Sequence, residues 1–416
     1  MDLLSRSDPE VHAIIEAEQQ RQNLTLELIA SENHVSAPVL EAMGSVLTDK
    51  YAEGYPRKRW YCGCENMDDI EQLAIDRAKK LFGAEHANVQ PHSGTNANLS
   101  VYISALEAGD KIMGMDLAHG GHLSHGLPIN LSGKIYKTCS YGVSEDTELL
   151  DMDNVREIAL REKPRLIIVG ASAYPRIIDF RAFGDIAAEI DAMVLADIAH
   201  IAGLIAGGAH PSPVDSCDFV TTTTHKTLRG PRGGIILCKE KWAKKIDMAV
   251  FPGMQGGPIM QNIAAKAVSF GECLTHDFRR YAADIIENAK ALAEAIKESG
   301  WRLVSGGTDN HLLLIDIRSR DEELTGHVAA KWMARAGLVA NKNAIPFDTR
   351  SPFHASGIRL GTPALTSRKM GTEQMKTIGG WIDEALRSGG DEAKLDAIRT
   401  KVEDLCRQFP IPSELV

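Results

Sequence analysis

Cysteine is sparse and scattered: there are seven, an odd number, at no repeated spacing. That excludes a disulfide framework and reads as reduced thiols in a cytoplasmic protein. No apolar run reaches the roughly 18 residues needed to span a bilayer. The stretch from Met1 to Glu18 is charged throughout and lacks an apolar centre, so it does not read as a secretory signal. Positive charge is also short. The 46 Lys+Arg face 56 Asp+Glu, a net charge of −10, which speaks against nucleic acid or an anionic membrane as partner. No repeat period or low-complexity tract is visible, which removes solenoids and repetitive linkers. Neither GxGxxG nor GxxxxGK[ST] occurs, so no Rossmann dinucleotide fingerprint or Walker loop is indicated.

What is present is an ordinary globular composition, 44% hydrophobic and 25% charged over 416 residues. At about 100–200 residues per domain this predicts two or three domains. Glycine stands out. Its 36 residues, many in Gly-Gly pairs or beside His and Thr, suggest backbone approaching a ligand closely. Residues 1–40 read as a polar N-terminal arm with a short helix near Val11–Arg21. Residues 41–280 read as a large domain and 281–416 as a smaller C-terminal α+β domain. Apolar spacing over Asn66–Phe82 predicts a helix, with Asp68 and Glu71 as a capping box. Leu166–Val169, Met193–Ala196, Phe219–Thr222 and Ile235–Cys238 read as buried strands separated in part by helices such as Phe183–Ile190. That pattern predicts a largely parallel α/β sheet. Ligands of such sheets sit beyond the strands' carboxyl ends, which draws attention to Asp197 and Lys226.

Lys226 follows the run Thr221–Thr224 and His225, and precedes a Gly/Pro-rich turn holding Arg229 and Arg232. The residues alone allow two readings: a solvated lysine at a strand end, or an amine made nucleophilic by burial and nearby cations, as Schiff-base chemistry requires. Asp197 is either a strand-end cap or the carboxylate that pairs with a protonated pyridine nitrogen. His92-Ser93-Gly94-Thr95-Asn96 opens a helix; alone it reads as an N-cap, and in company it offers a phosphate site. His119, His122 and His125 are spaced like metal ligands, but paired glycines and the lack of a nearby carboxylate in sequence favour a ring-stacking imidazole over metal. Cys62-Gly-Cys64 lacks the spacing and the second pair of a zinc or redox site.

Taken together these motifs resemble the serine hydroxymethyltransferase family, fold-type I pyridoxal phosphate enzymes of aspartate-aminotransferase-like architecture. The resemblance runs from about Leu28 to the C-terminus. It includes Ala30–Asn33, Lys50–Pro56, Ala118–His122, Thr224-His225-Lys226, Gln255–Pro258, Ser305–His311 and Gly357–Arg359. It implies a mostly parallel seven-stranded sheet. It also implies that Lys226, beside His225, carries pyridoxal phosphate as a Schiff base, with Asp197 at the pyridine nitrogen and His122 stacked on the ring. Ser172 and His200 would lie near the phenolic oxygen. Ser93, Gly94 and Thr95 would hold the phosphate, joined by Tyr51, Gly256 and Gly257 from a neighbouring subunit of a homodimer or tetramer. Arg359 and Ser31 would grip the amino-acid carboxylate, and Glu53 and Tyr61 would serve the transferred one-carbon unit. Glu53, Leu117, Gly121, His122, Leu123, Asn343, Ser351, Pro352 and Phe353 would line a tetrahydrofolate site. Arg232, Arg359 and Lys342 would make a positive pocket in an acidic surface.

The implied reaction converts serine and tetrahydrofolate to glycine and 5,10-methylenetetrahydrofolate. The alternative is the same scaffold acting on another β-hydroxy or α-methyl amino acid, as a threonine-type aldolase or an α-methylserine hydroxymethyltransferase. Trp60 stands where a second tyrosine usually adjoins Tyr61, Cys62 replaces a usual glycine, and Asn96 sits where Gln or Pro often follows the phosphate residues.

Overall fold

This computed structural model describes residues 3–412; residues 1–2 of the expected arm and 413–416 of the expected small domain lie outside the described residues. Seven strands form the central sheet: β1 (His86–Asn88), β2 (Lys111–Met115), β3 (Lys137–Tyr141), β4 (Leu166–Val169), β5 (Met193–Asp197), β6 (Phe219–Thr223) and β7 (Gly234–Cys238). Their order is β1-β7-β6-β5-β4-β2-β3. From β6 to β3 every pair is parallel, while β7 is antiparallel to both β6 and β1. The expected α/β sheet, seven-stranded and mostly parallel, is therefore observed. Every residue of β4, β6 and β7 is buried, because helices cover both faces.

This topology decides where the chemistry can sit. The carboxyl ends of β1, β2, β4, β5 and β6 open on one edge, and the antiparallel β7 presents its amino end there. Loops 89–95, 116–125, 170–172, 197–200, 224–226 and 229–233 therefore converge.

A second, four-stranded antiparallel sheet is built from Arg302–Leu303, Leu312–Asp316, Gly357–Gly361 and Asn341–Asn343, in that spatial order. The apolar side chains divide accordingly. One cluster holds Ile167, Val169, Ala196 and Phe183, and another holds Leu313, Ile315, Leu360 and Ile378. Leu26 and Leu28 join the second cluster, and Leu26–Glu27 pairs with Leu338–Val339. Helix His276–Glu298 straddles both: Phe278 and Ile285 pack in the first cluster, Leu292 and Ile296 in the second. Arg368, 2% exposed, donates to carbonyls of Thr25 (2.9 Å), Cys406 (3.0 Å) and Phe409 (2.6 Å), fastening the N-terminal segment to the C-terminal helix.

One local expectation is overturned. Helix Glu65–Phe82 has Cys64 as N-cap, so Asp68 and Glu71 form no capping box. Both instead bind the guanidinium of Arg59, at 2.9 and 2.7 Å. The Arg59 side chain is only 3% exposed. A buried cation without carboxylates costs far more than an unmade cap, and the long-range pair wins.

Candidate active site

Where the loops meet lies a cavity of about 440 Å³ lined by Ser31, Ser93, Gly94, Thr95, His122, His125, Ser172, Asp197, His200, His225, Lys226, Arg232 and Arg359, among others. Strand register brings the central pair together: Asp197, the last residue of β5, lies opposite Thr221 of β6, and Lys226 follows just beyond β6.

Asp197 is held by three donors. Asn98 Nδ2 and His125 Nε2 reach Oδ2 at 2.8 and 2.9 Å, the Ala199 N–H reaches Oδ1 at 3.1 Å, and His125 itself is 1% exposed. Burial would push this carboxyl up, but the His125 hydrogen bond, the imidazole charges and the Asn98 amide outweigh it and hold it well below the usual carboxylate range. A permanently anionic carboxylate is the result. Asn98 is itself oriented by Thr221 Oγ1 at 2.5 Å and donates to Ser124 Oγ at 2.8 Å. His122 Nδ1 accepts from the Ser124 N–H (3.2 Å) and meets Ser124 Oγ at 2.7 Å. Burial first, with the His125 and Lys226 charges, brings His122 to about 4, so it stands neutral.

Lys226 is half-buried, and its Nζ has no hydrogen-bond partner among the described residues. Burial, with Arg359 and Arg232 acting against the opposing pull of Asp197, brings this amine down to about 8. A lysine so lowered is neutral often enough near neutral pH to attack a carbonyl. Its backbone is pinned from the other side, the Asn33 amide donating to the Lys226 carbonyl at 2.9 Å.

Helix Gly94–Ala105 points its N-terminus into the cavity, with Ser93 as N-cap accepting from the Asn96 N–H at 3.2 Å. Only glycine fits at position 94, since a Cβ there would lie 2.8 Å from Thr223 Cγ2. The unpaired N–H groups of this first turn are oriented for an anion. Opposite, Arg359 is 9% exposed and donates to the Ser172 carbonyl (2.7 Å) and to Asn341 Oδ1 (3.2 Å). Burial brings it down to about 10, still charged at neutral pH.

These parts suit a flat cofactor bearing an aldehyde, a basic ring nitrogen and a phosphate: an unpartnered amine, a fixed carboxylate, a helix N-terminus, and a buried His225 Nδ1 without a partner. A family model described as Serine hydroxymethyltransferase matches residues 4–382. The chain belongs to the serine hydroxymethyltransferase family. It is thus a pyridoxal phosphate-dependent transferase with the fold-type I architecture, acting on small molecules in serine/glycine one-carbon chemistry. Among the described residues no helix is long and apolar enough to cross a membrane.

Not every residue expected in a serine hydroxymethyltransferase site lines this cavity. Tyr51, Glu53, Tyr61, Gly256 and Gly257 form a separate cluster. The Tyr51 and Tyr61 rings meet edge-on at 5.4 Å, and Tyr61 Oη lies 3.5 Å from Glu53 Oε2. A Cβ at Gly257 would touch Tyr51 at 3.1 Å, and one at Gly256 would lie 3.3 Å from Glu53 Oε1. Tyr51 and Tyr61 are exposed.

The residues expected for folate are likewise dispersed. Leu117 and His122 share a neighbouring groove of about 190 Å³. Gly121 packs against Met115 so closely that a Cβ would clash with its carbonyl. Leu123 and Phe353 are exposed, as are Ser351 and Pro352, and Asn343 lies half-buried on the small sheet.

Lys342 does not join the positive pocket expected of it: Nζ donates to the Phe353 carbonyl at 2.6 Å and sits 4.6 Å from the Phe353 ring centre. The argument that no carboxylate lies near the histidines also fails in three dimensions, because His122, His125 and Asp197 bring their ligand atoms within 4.8 Å of one another. Sequence reasoning gave no role to Asn98 or His125. The signal for both was present, a buried amide one turn into the Ser93 helix and a histidine three residues after His122.

Proposed function

We propose that this chain catalyses the reversible transfer of the serine hydroxymethyl group to tetrahydrofolate, giving glycine and 5,10-methylenetetrahydrofolate, in a cytoplasmic homodimer or tetramer with shared sites. The observation that carries this reading is the meeting of Lys226, Asp197, His122, the Ser93–Thr95 turn and Arg359 in one cavity. When bound, pyridoxal phosphate supplies an electron-accepting ring that stabilises charge developing at the substrate α-carbon.

Each side chain then has a task. Lys226 would hold the cofactor's aldehyde through its ε-amine. Asp197, kept anionic, holds the ring nitrogen protonated. Neutral His122 offers an imidazole face to stack, with Ser172 and His200 near the phenolic oxygen. Arg359 and Ser31 bind the amino-acid carboxylate, for which a planar guanidinium offers two parallel N–H donors. Glu53 moves a proton at the serine hydroxyl with Tyr61 beside it, and Leu117, Gly121, Leu123, Asn343, Ser351, Pro352 and Phe353 form the folate wall. We also propose the division into arm, large and small domains at residues 1–40, 41–280 and 281–416.

The test compares tetrahydrofolate-dependent turnover of L-serine with folate-free cleavage of allo-threonine and turnover of α-methylserine. Serine turnover that depends on folate supports the proposal. Undetectable serine turnover, with either other substrate consumed, replaces it with the aldolase or α-methylserine reading.

A further inference from the structure

The reaction uses no lysine beyond Lys226, yet a second lysine is buried more deeply. Lys266, on helix Met260–Cys273, is 2% exposed. Its Nζ donates to three backbone carbonyls: Val89 at 2.7 Å, Gly234 at 2.9 Å and Pro91 at 3.1 Å. It makes no ion pair among the described residues; burial pulls the amine down to about 7 against the opposing Glu71 of helix Glu65–Phe82, while three carbonyl acceptors match the three N–H donors that only the protonated form has. An unpaired buried ammonium is expensive unless something nearby repays it.

Its three acceptors identify the beneficiary. Val89 and Pro91 lead from β1 into Ser93-Gly94-Thr95. Gly234 opens β7 two residues after Arg232. The two segments are pressed together, since the Gly234 N–H donates to the Pro91 carbonyl at 3.0 Å and a Cβ on Gly234 would lie 2.5 Å from the Ser93 carbonyl. One turn earlier on the same helix, Asn262 donates to the Arg232 carbonyl at 3.0 Å. The field of Lys266 also reaches His92. A single helix thus sets both walls of the anion cradle and places a positive charge beneath it.

We propose that Lys266 is a positioning residue for the cofactor phosphate, tying the Ser93–Thr95 turn to the Arg232–Gly234 turn and adding a buried positive charge to their anion site. This rests on the cofactor assignment above. Lys266 touches neither cofactor nor substrate; it acts through the backbone that does.

The experiment strips full-length chain of cofactor and titrates it with pyridoxal phosphate and with pyridoxal, which lacks the phosphate, following absorbance. Wild type binding the phosphorylated form much more tightly is the reference. Failure of wild type to bind it at all would overturn the cofactor assignment rather than this inference. For Lys266→Met the expected result is at least about tenfold weaker pyridoxal phosphate binding with pyridoxal affinity unchanged, as for loss of one buried charge facing a phosphate. A merely structural lysine would weaken both ligands alike, and an equal loss, or no change in the ratio, overturns the proposal. Should Lys266→Met not fold, Gly233→Ala serves, because its Cβ would lie 2.6 Å from Lys266 Cε and displace the ammonium without removing it. The same selective loss is expected, smaller in size, and an unchanged ratio in a folded Gly233→Ala protein is equally fatal.

Discussion

The cavity around Lys226 and the rim formed by Tyr51, Glu53, Trp60 and Tyr61 belong to one proposed reaction but are built differently. In the cavity the groups around Lys226 are held by second residues: Asp197 by Asn98 and His125, His122 by Ser124, Arg359 by Ser172 and Asn341. On the rim the rings stand exposed, Trp60 most of all at 75%, and the sole polar contact between Tyr61 and Glu53 is 3.5 Å long. Charge is tuned where water is excluded, as at Asp197 and Lys226. The contrast teaches that the chain fixes the cofactor half through its own side-chain networks and holds the rim by few contacts.

The sharpest test of the cavity half is Lys226→Ala. Serine turnover is expected to fall by at least about 10³-fold, the scale of losing a covalent catalyst, while circular dichroism and melting temperature stay close to wild type. Purified wild type should be yellow and the cofactor fixable on Lys226 with borohydride. Substantial turnover in the variant, or a colourless wild type that stays so with added pyridoxal phosphate, would remove the catalytic reading. Next comes Asp197→Asn, which keeps the shape but discards the charge and turns an NH2 donor toward N–H groups from which the carboxylate accepted; a loss of about 10²–10³-fold in kcat is expected, with cofactor still bound.

The rim half is tested by mixing. Glu53→Gln should lose about 10²-fold as a proton-transfer variant. If rim and cavity come from different subunits, refolding inactive Lys226→Ala together with Glu53→Gln should restore about one quarter of wild-type activity, because half of randomly formed dimers carry one intact site of two. No recovery would mean that each chain supplies its own rim, held by those few contacts.

A smaller effect follows from the lowered Lys226 amine. The free base is the reactive form, so raising pH through the folded value increases it. With that value at about 8, capture of pyridoxal phosphate by stripped protein should speed up about tenfold from pH 7 to 9 and then level off. An unperturbed lysine would give about a hundredfold rise over the same range and no plateau.

Much of the cavity was legible in the sequence because its residues sit at element ends: Asp197 closing an apolar strand, Lys226 beyond the threonines, Ser93 opening a helix. Three of the roles had strong local rivals, and only the topology, which stacks those ends on one sheet edge, removes them. What stayed hidden was long-range. Asn98, His125 and Lys266 are ordinary side chains in sequence and become informative only when the fold sets them against Asp197 or three carbonyls. Asp68 and Glu71 were misread for the same reason: local spacing suggested a cap, and Arg59 of the preceding short strand Lys58–Arg59 claimed both. The isolated rim shows no such networks, and its roles stand on family resemblance alone.

Trp60→Tyr probes that last point with the least disruption. It trims a ring that is 75% exposed and adds one hydroxyl. A substitution at such a surface ordinarily moves stability by no more than about 0.5 kcal/mol, so the melting temperature should barely change. If the rim merely borders the site, kcat/KM for serine should change by less than about threefold, since 0.6 kcal/mol is the corresponding energy. A change beyond about tenfold with unaltered stability would mean that Trp60 becomes buried against substrate in the assembled enzyme. The relative kcat/KM for serine and α-methylserine should then be measured in the same variant, because a wall in contact with substrate discriminates by a methyl group and a bystander does not.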